Sequence, residues 1–242
     1  MNRIIYKIIF VFTLSVIADD NEIYINQTGS NASIDLEQLG SSNIIGGSDS
    51  VAGTMTSATL NGGSMTLDIN QIGSSNQFLT GGLYGSDFTG FFEFDGDSNI
   101  FDIDLDTSGL NGADFVDLNI DITGSSNTFD VDLGESSAVD YLNLDWIIDG
   151  DSNAFDYEID SEYATNYVDL FGDSNTINFT GSGYGNSSTD AGYFYLDLTG
   201  SSNVYNITQS STLAADWLKI ESNGSNQNVC IIQSDSGTAT SC

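Results

Sequence analysis

The sequence predicts an all-β chain, a β-solenoid of about nine stacked strand-turn-strand coils of the cross-β kind, on three observations. A four-residue Gly-x-Ser-Asn motif recurs along the chain. Apolar and polar residues alternate on both sides of it. Pro is absent, while Gly, Ser and Asn are frequent.

The motif stands complete at Gly40–Asn43, Gly73–Asn76, Gly96–Asn99, Gly124–Asn127, Gly150–Asn153, Gly172–Asn175 and Gly200–Asn203. The structural repeat residues are therefore Gly40, Asn43, Gly73, Asn76, Gly96, Asn99, Gly124, Asn127, Gly150, Asn153, Gly172, Asn175, Gly200 and Asn203. Shortened copies, Gly29-Ser30-Asn31 and Gly224-Ser225-Asn226, flank the series. Most glycine spacings are 22–28 residues, which suits one coil, whereas the first two, 11 and 33, predict an irregular first turn and a long insertion at residues 46–66. Gly can take a positive φ, and Ser and Asn can bond the local backbone, so the motif suits an arc between two strands.

Four residues before each glycine stand Ile25, Leu36, Ile69, Phe92, Ile120, Trp146, Val168, Leu196 and Ile220, every one apolar. Two residues past the Asn the alternation resumes with Ile45, Phe78, Phe101, Phe129, Phe155, Ile177 and Tyr205. Side chains on a strand point alternately to its two faces, so this period of two puts one set inside and the interleaved polar set outside. Stacked in register, the turn asparagines either form an amide ladder or each cap their own turn.

Ile69-Asn70-Gln71-Ile72-Gly73-Ser74-Ser75-Asn76 and Glu37-Gln38-Leu39-Gly40-Ser41-Ser42-Asn43 resemble the curlin repeat, whose core is Gln-x-Gly-x-x-Asn, and Ile25-Asn26-Gln27-Thr28-Gly29-Ser30-Asn31 is similar with one residue missing. The Gly and Asn of that pattern run through most of residues 23–230, but from Phe94 onward the Gln position is apolar. The resemblance implies a curlin-like cross-β architecture and a role as a subunit of an extracellular amyloid-like fibre.

Lys and Arg total 3 against 35 acidic residues, with no His, for a net charge of −32. Such a chain repels nucleic acid and anionic membrane surfaces, which need cationic side chains to displace counterions. The same acidity fits part of the signature of disorder, but 39% hydrophobic and 11% aromatic residues in regular alternation argue for order. Residues 1–18 run from Arg3 and Lys7 through Ile8-Ile9-Phe10-Val11-Phe12 to Val16-Ile17-Ala18, the order of a secretory signal peptide. The apolar run is shorter than the ~20 residues a membrane anchor needs. The expected organisation is a signal peptide at 1–18 and one solenoid domain at 19–242 with a C-terminal Cys-containing tail. After cleavage, Lys219 is the one basic residue left, and no membrane association is expected.

Cys230 and Cys242 lie near the C-terminus, where in an oxidising compartment they pair within the chain and pin the last turn, or stay free or bond between molecules. Stacking also puts like charges above one another. Asp102, Asp104, Asp130, Asp132 and Asp156 are expected to share outward columns and are the candidates for weak calcium binding, with salt screening as the alternative. No other cofactor is expected.

The expected function is a secreted structural subunit whose partner is itself, stacking end to end into a fibre or biofilm matrix filament. The alternative is a monomeric solenoid adhesin or surface-binding module. Catalysis is not expected, because the carboxylates alternate as on a solvated strand face and none stands in the contrasting environments that catalytic pairs need.

Overall fold

A computed structural model describes residues 22–46, 58–84, 87–105, 115–134, 141–160, 164–182, 193–210 and 217–234. Residues 1–18, expected from the sequence to be a signal peptide, and Cys242 lie outside them. In chain order the strands are β1 (Glu22–Tyr24), β2 (Asn26–Thr28), β3 (Ser33–Leu39), β4 (Ile44–Gly46), β5 (Ala58–Asn61), β6 (Met65–Ile72), β7 (Gln77–Tyr84), β8 (Asp87–Asp95), β9 (Ile100–Leu105), β10 (Phe115–Thr123), β11 (Thr128–Leu133), β12 (Tyr141–Asp149), β13 (Ala154–Asp160), β14 (Ala164–Phe171), β15 (Thr176–Ser182), β16 (Tyr193–Thr199), β17 (Val204–Ser210), β18 (Trp217–Asn223) and β19 (Asn228–Ser234).

Strands β3, β6, β8, β10, β12, β14, β16 and β18 make one sheet of eight, and the other eleven make the second sheet. The pairing along both is parallel and follows the coil period, as in β10 with β8 and β12, and β11 with β9 and β13. The two strands flanking an arc thus lie in different sheets, and each finds its hydrogen bonds in the coils above and below. The molecule is a parallel β-solenoid. The described strands from β8–β9 to β18–β19 form six regular coils, and two irregular coils precede them.

Nine coils reduce to eight because Gly29-Ser30-Asn31 belongs to a different bend. The Gly29 N–H donates to the Asn61 carbonyl at 2.8 Å and the Asn31 N–H to that of Gly63 at 2.8 Å, so this turn stacks on residues 62–64, at the opposite end of β3 and β6. The spacing of 11 is half a coil, and Ile25 leaves the column to which the motif spacing assigns it. At the other end, Gly224-Ser225-Asn226 is not shortened. Asn226 takes the left-handed conformation (φ 57°) that Ser holds in the other arcs, and Gln227 occupies the Asn position, its Nε2 donating to the Gly200 carbonyl at 2.8 Å.

Between the sheets the apolar columns fill the interior. Ile69, Phe92, Ile120, Trp146, Val168 and Leu196 are stacked in register and buried. Phe94, on the same strand as Phe92, and Phe101, Phe129 and Phe155 of the facing sheet form a pile of rings with centroids 3.5, 4.7 and 4.7 Å apart. Each such side chain contributes about 1.5–3 kcal/mol by leaving water. Polar side chains also enter the interior, as in mid-stack, where the Tyr157 hydroxyl donates to the buried Asn166 at 3.0 Å. Gln71 donates to Gln38 at 2.7 Å in the first two coils, and Gln233 to Gln209 at 2.8 Å in the last two.

Candidate assembly interface

The arc column holds the coils in register. At Gly73, Gly96, Gly124, Gly150, Gly172 and Gly200 φ lies between 132° and 156°, and a Cβ would fall within 2.0 Å of the carbonyl oxygen of the glycine one coil earlier. Position two residues on from each of these glycines is Ser in the left-handed region, at φ near 61°. An isolated chain would leave that conformation; the backbone bonds of the stack hold it there.

The buried asparagines resolve the two alternatives into a third arrangement. The backbone N–H of Asn43, Asn76, Asn99, Asn127, Asn153 and Asn175 donates to Oδ1 of the asparagine one coil on, at 2.7–3.0 Å. In the other direction Nδ2 of Asn153, Asn175 and Asn203 donates to the glycine carbonyl one coil back, at 2.9–3.0 Å. The ladder therefore runs from side chain to backbone between coils, so each asparagine there ties together three levels. The second motif position joins it: Asp97, Asp151 and Asp173 each accept the N–H of the residue one coil on at 2.6 Å. These three carboxylates are structural, a role the motif's variable position gave no sign of.

Asp102, Asp130 and Asp156 stack in one outward column, and Asp104, Asp132 and Glu158 in the next. They form rows rather than a cage, and no group of three or more His, Cys, Asp or Glu side chains among the described residues is disposed to hold a metal ion. Elsewhere amides interrupt the acidic columns: Asn70 donates to Glu93 at 3.2 Å and Asn143 to Asp117 at 2.9 Å. Burial, and then the charge of Asp130, raises the pKa of Asp102; burial, then Asp197 and Asp145, raises that of Asp169.

A carboxyl whose pKa rises on folding binds more protons folded than unfolded, so its penalty is present at neutral pH and falls away as pH drops through the raised pKa. Glu221, lowered by the Tyr195 hydroxyl and then by Lys219, works in the opposite sense, but it is exposed and weighs less. The melting temperature is expected to rise as pH falls from 7 toward the ordinary carboxyl value of 3.8. Asp102→Asn should raise the melting temperature at pH 7 and flatten that rise. A melting temperature that falls steadily with acid would contradict this balance of charges.

Among the described residues, no strand pairs beyond the outermost strands at either end of the solenoid. In the eleven-stranded sheet β1 and β19 are the outermost strands of the stack, and in the other sheet β3 and β18 are. At the C-terminal end Val229 and Ile231 are 42% and 45% exposed, against 0% for Tyr205 and Ile207, which occupy the same columns one coil earlier. On the outer face of this end Lys219 pairs with Glu221 at 3.0 Å and lies 4.6 Å from the Tyr195 ring, while the Tyr195 hydroxyl donates to Glu221 at 2.6 Å. That hydrogen bond pushes the Tyr195 pKa up to about 12. Cys230, on the outward side of β19, is disulfide-bonded.

Compared with protein-family models, with curated proteins and with solved structures, the chain matches none.

Proposed function

We propose that the chain is a secreted, non-enzymatic structural subunit that stacks end to end into an extracellular cross-β fibre. One observation carries this reading: both sheets end in parallel edge strands, and among the described residues none covers the apolar side chains of Val229 and Ile231 at the C-terminal end. Such an edge presents unpaired N–H and C=O groups that template another chain. Pro, the usual edge breaker, is absent, and Lys219 is the one basic residue after the leader-like segment at 1–18. The resemblance of residues 37–43 and 69–76 to the curlin repeat points the same way, and that segment supports export. The partner is a second copy of the chain, and the acidic faces keep filaments from clumping sideways.

A second reading, a monomeric surface-binding module, draws on exposed rings along the outer face of the eight-stranded sheet. Phe115 and Tyr141 stack there at 4.8 Å beside Asp117 and Asn143. Electron microscopy and sedimentation of the chain from Asp19 onward separate the two. The fibre reading predicts unbranched filaments, with and without salt. A monomer that persists for days at high concentration would overturn it in favour of the module.

A further inference from the structure

The two ends share more than an open edge, because their columns match in kind. Following the pairing from coil to coil, Ile23 occupies the column that ends at Val229, and Gln27 the column that ends at Gln209 and Gln233. Ile25, midway between them, falls in line with Ile231. In the other sheet Asp35 stands at the head of the column that ends at Lys219.

We infer that copies of the chain join head to tail with no shift of register, the first coil of one continuing the last coil of another, and that Lys219 meets Asp35 of the next copy across the joint. This rests on the fibre reading and specifies its geometry. Three independent features of the two ends agree on this register. Apolar meets apolar where Ile23 and Ile25 cover Val229 and Ile231, which are exposed in the single chain. Amide meets amide where Gln27 extends the Gln233–Gln209 hydrogen-bonded pair. The one cation of residues 19–242 lies on the terminal coil, in line with a carboxylate. The same register sets Glu221 on Glu37 of the next copy, a like-charged pair that Lys219, already 3.0 Å from Glu221, is placed to offset. A slip of one residue would turn every interior side chain outward and separate all of these pairs.

The test is seeded elongation of filaments by Lys219→Glu, by Asp35→Lys and by the protein carrying both. Both positions are on the outer face, so the fold is retained. Each single change is expected to slow elongation about fivefold, and the double change to return it to within about twofold of the parent. Filaments grown from two differently isotope-labelled pools should also show Ile23–Val229 contacts between copies by solid-state NMR. If the parent forms filaments but the double variant elongates no faster than the singles and the Ile23–Val229 contact is missing, the register is wrong and the fibre reading stands. If the parent forms no filaments, both fall together.

Discussion

Ile120→Asp is expected to remove cooperative folding and filament formation together. Ile120 is buried between Phe92 and Trp146 of the neighbouring coils. Losing its methyl groups costs about 2–5 kcal/mol. A carboxylate placed there has no partner, which adds several kcal/mol more. The sum is comparable with the ~5–15 kcal/mol that holds a whole domain together. Because each coil touches only its neighbours, the break should fall between the coils on either side of β10 rather than dissolve every strand at once. Asp104→Asn, on the outward face of β9, is the matched control and should leave assembly unchanged. Circular dichroism and a filament assay on both variants check this, and equal behaviour of the two would mean that the faces are assigned wrongly.

Gly124→Ala should be nearly as damaging, through the backbone alone. The new Cβ would lie 2.0 Å from the Gly96 oxygen and 2.6 Å from its carbon, with φ at +135°. Neither contact is to a flexible side chain, and the coils cannot part without lengthening the bond from the Gly96 N–H to the Thr123 carbonyl, now 2.8 Å. The expected cost is about 3–5 kcal/mol. At about 2–4 °C per kcal/mol for a domain of this size, the melting temperature falls by about 10 °C. Gly29→Ala is the contrast, since nothing lies within 4 Å of its Cβ and only its φ of +121° is strained; its cost is about 1–3 kcal/mol. A melting temperature for Gly124→Ala equal to that of Gly29→Ala would show that the glycine column does not set the coil spacing.

The features legible in the sequence are those that repeat with a short, fixed relation to the motif. Leu36 through Ile220 and Ile45 through Tyr205 sit at constant offsets from a glycine, so alternation alone identifies the interior columns, and the structure buries nearly all of them. Gly29 misled because a bend at either end of a strand calls for the same residues; only its bonds to Asn61 and Gly63 show which bend it forms. Gln227 was hidden by its length, one methylene beyond the asparagine it replaces. Gln209 and Gln233 lie six residues past Asn203 and Gln227, at an offset that is apolar in other coils, and their pairing emerges only once β17 and β19 are in register. The structural roles of Asp97, Asp151 and Asp173 need the neighbouring coil's N–H groups, which no local pattern contains. The shared column of Asp35 and Lys219, on which the proposed joint between copies rests, is more distant still, since it spans the whole stack.

Fibre diffraction from aligned filaments of the chain from Asp19 onward tests the central claim most directly. End-to-end stacking of eight coils predicts a reflection at ~4.8 Å along the fibre axis and an axial repeat of about 40 Å for one chain. Filaments whose ~4.8 Å spacing lies across the axis, or a preparation that yields only monomer, would contradict it.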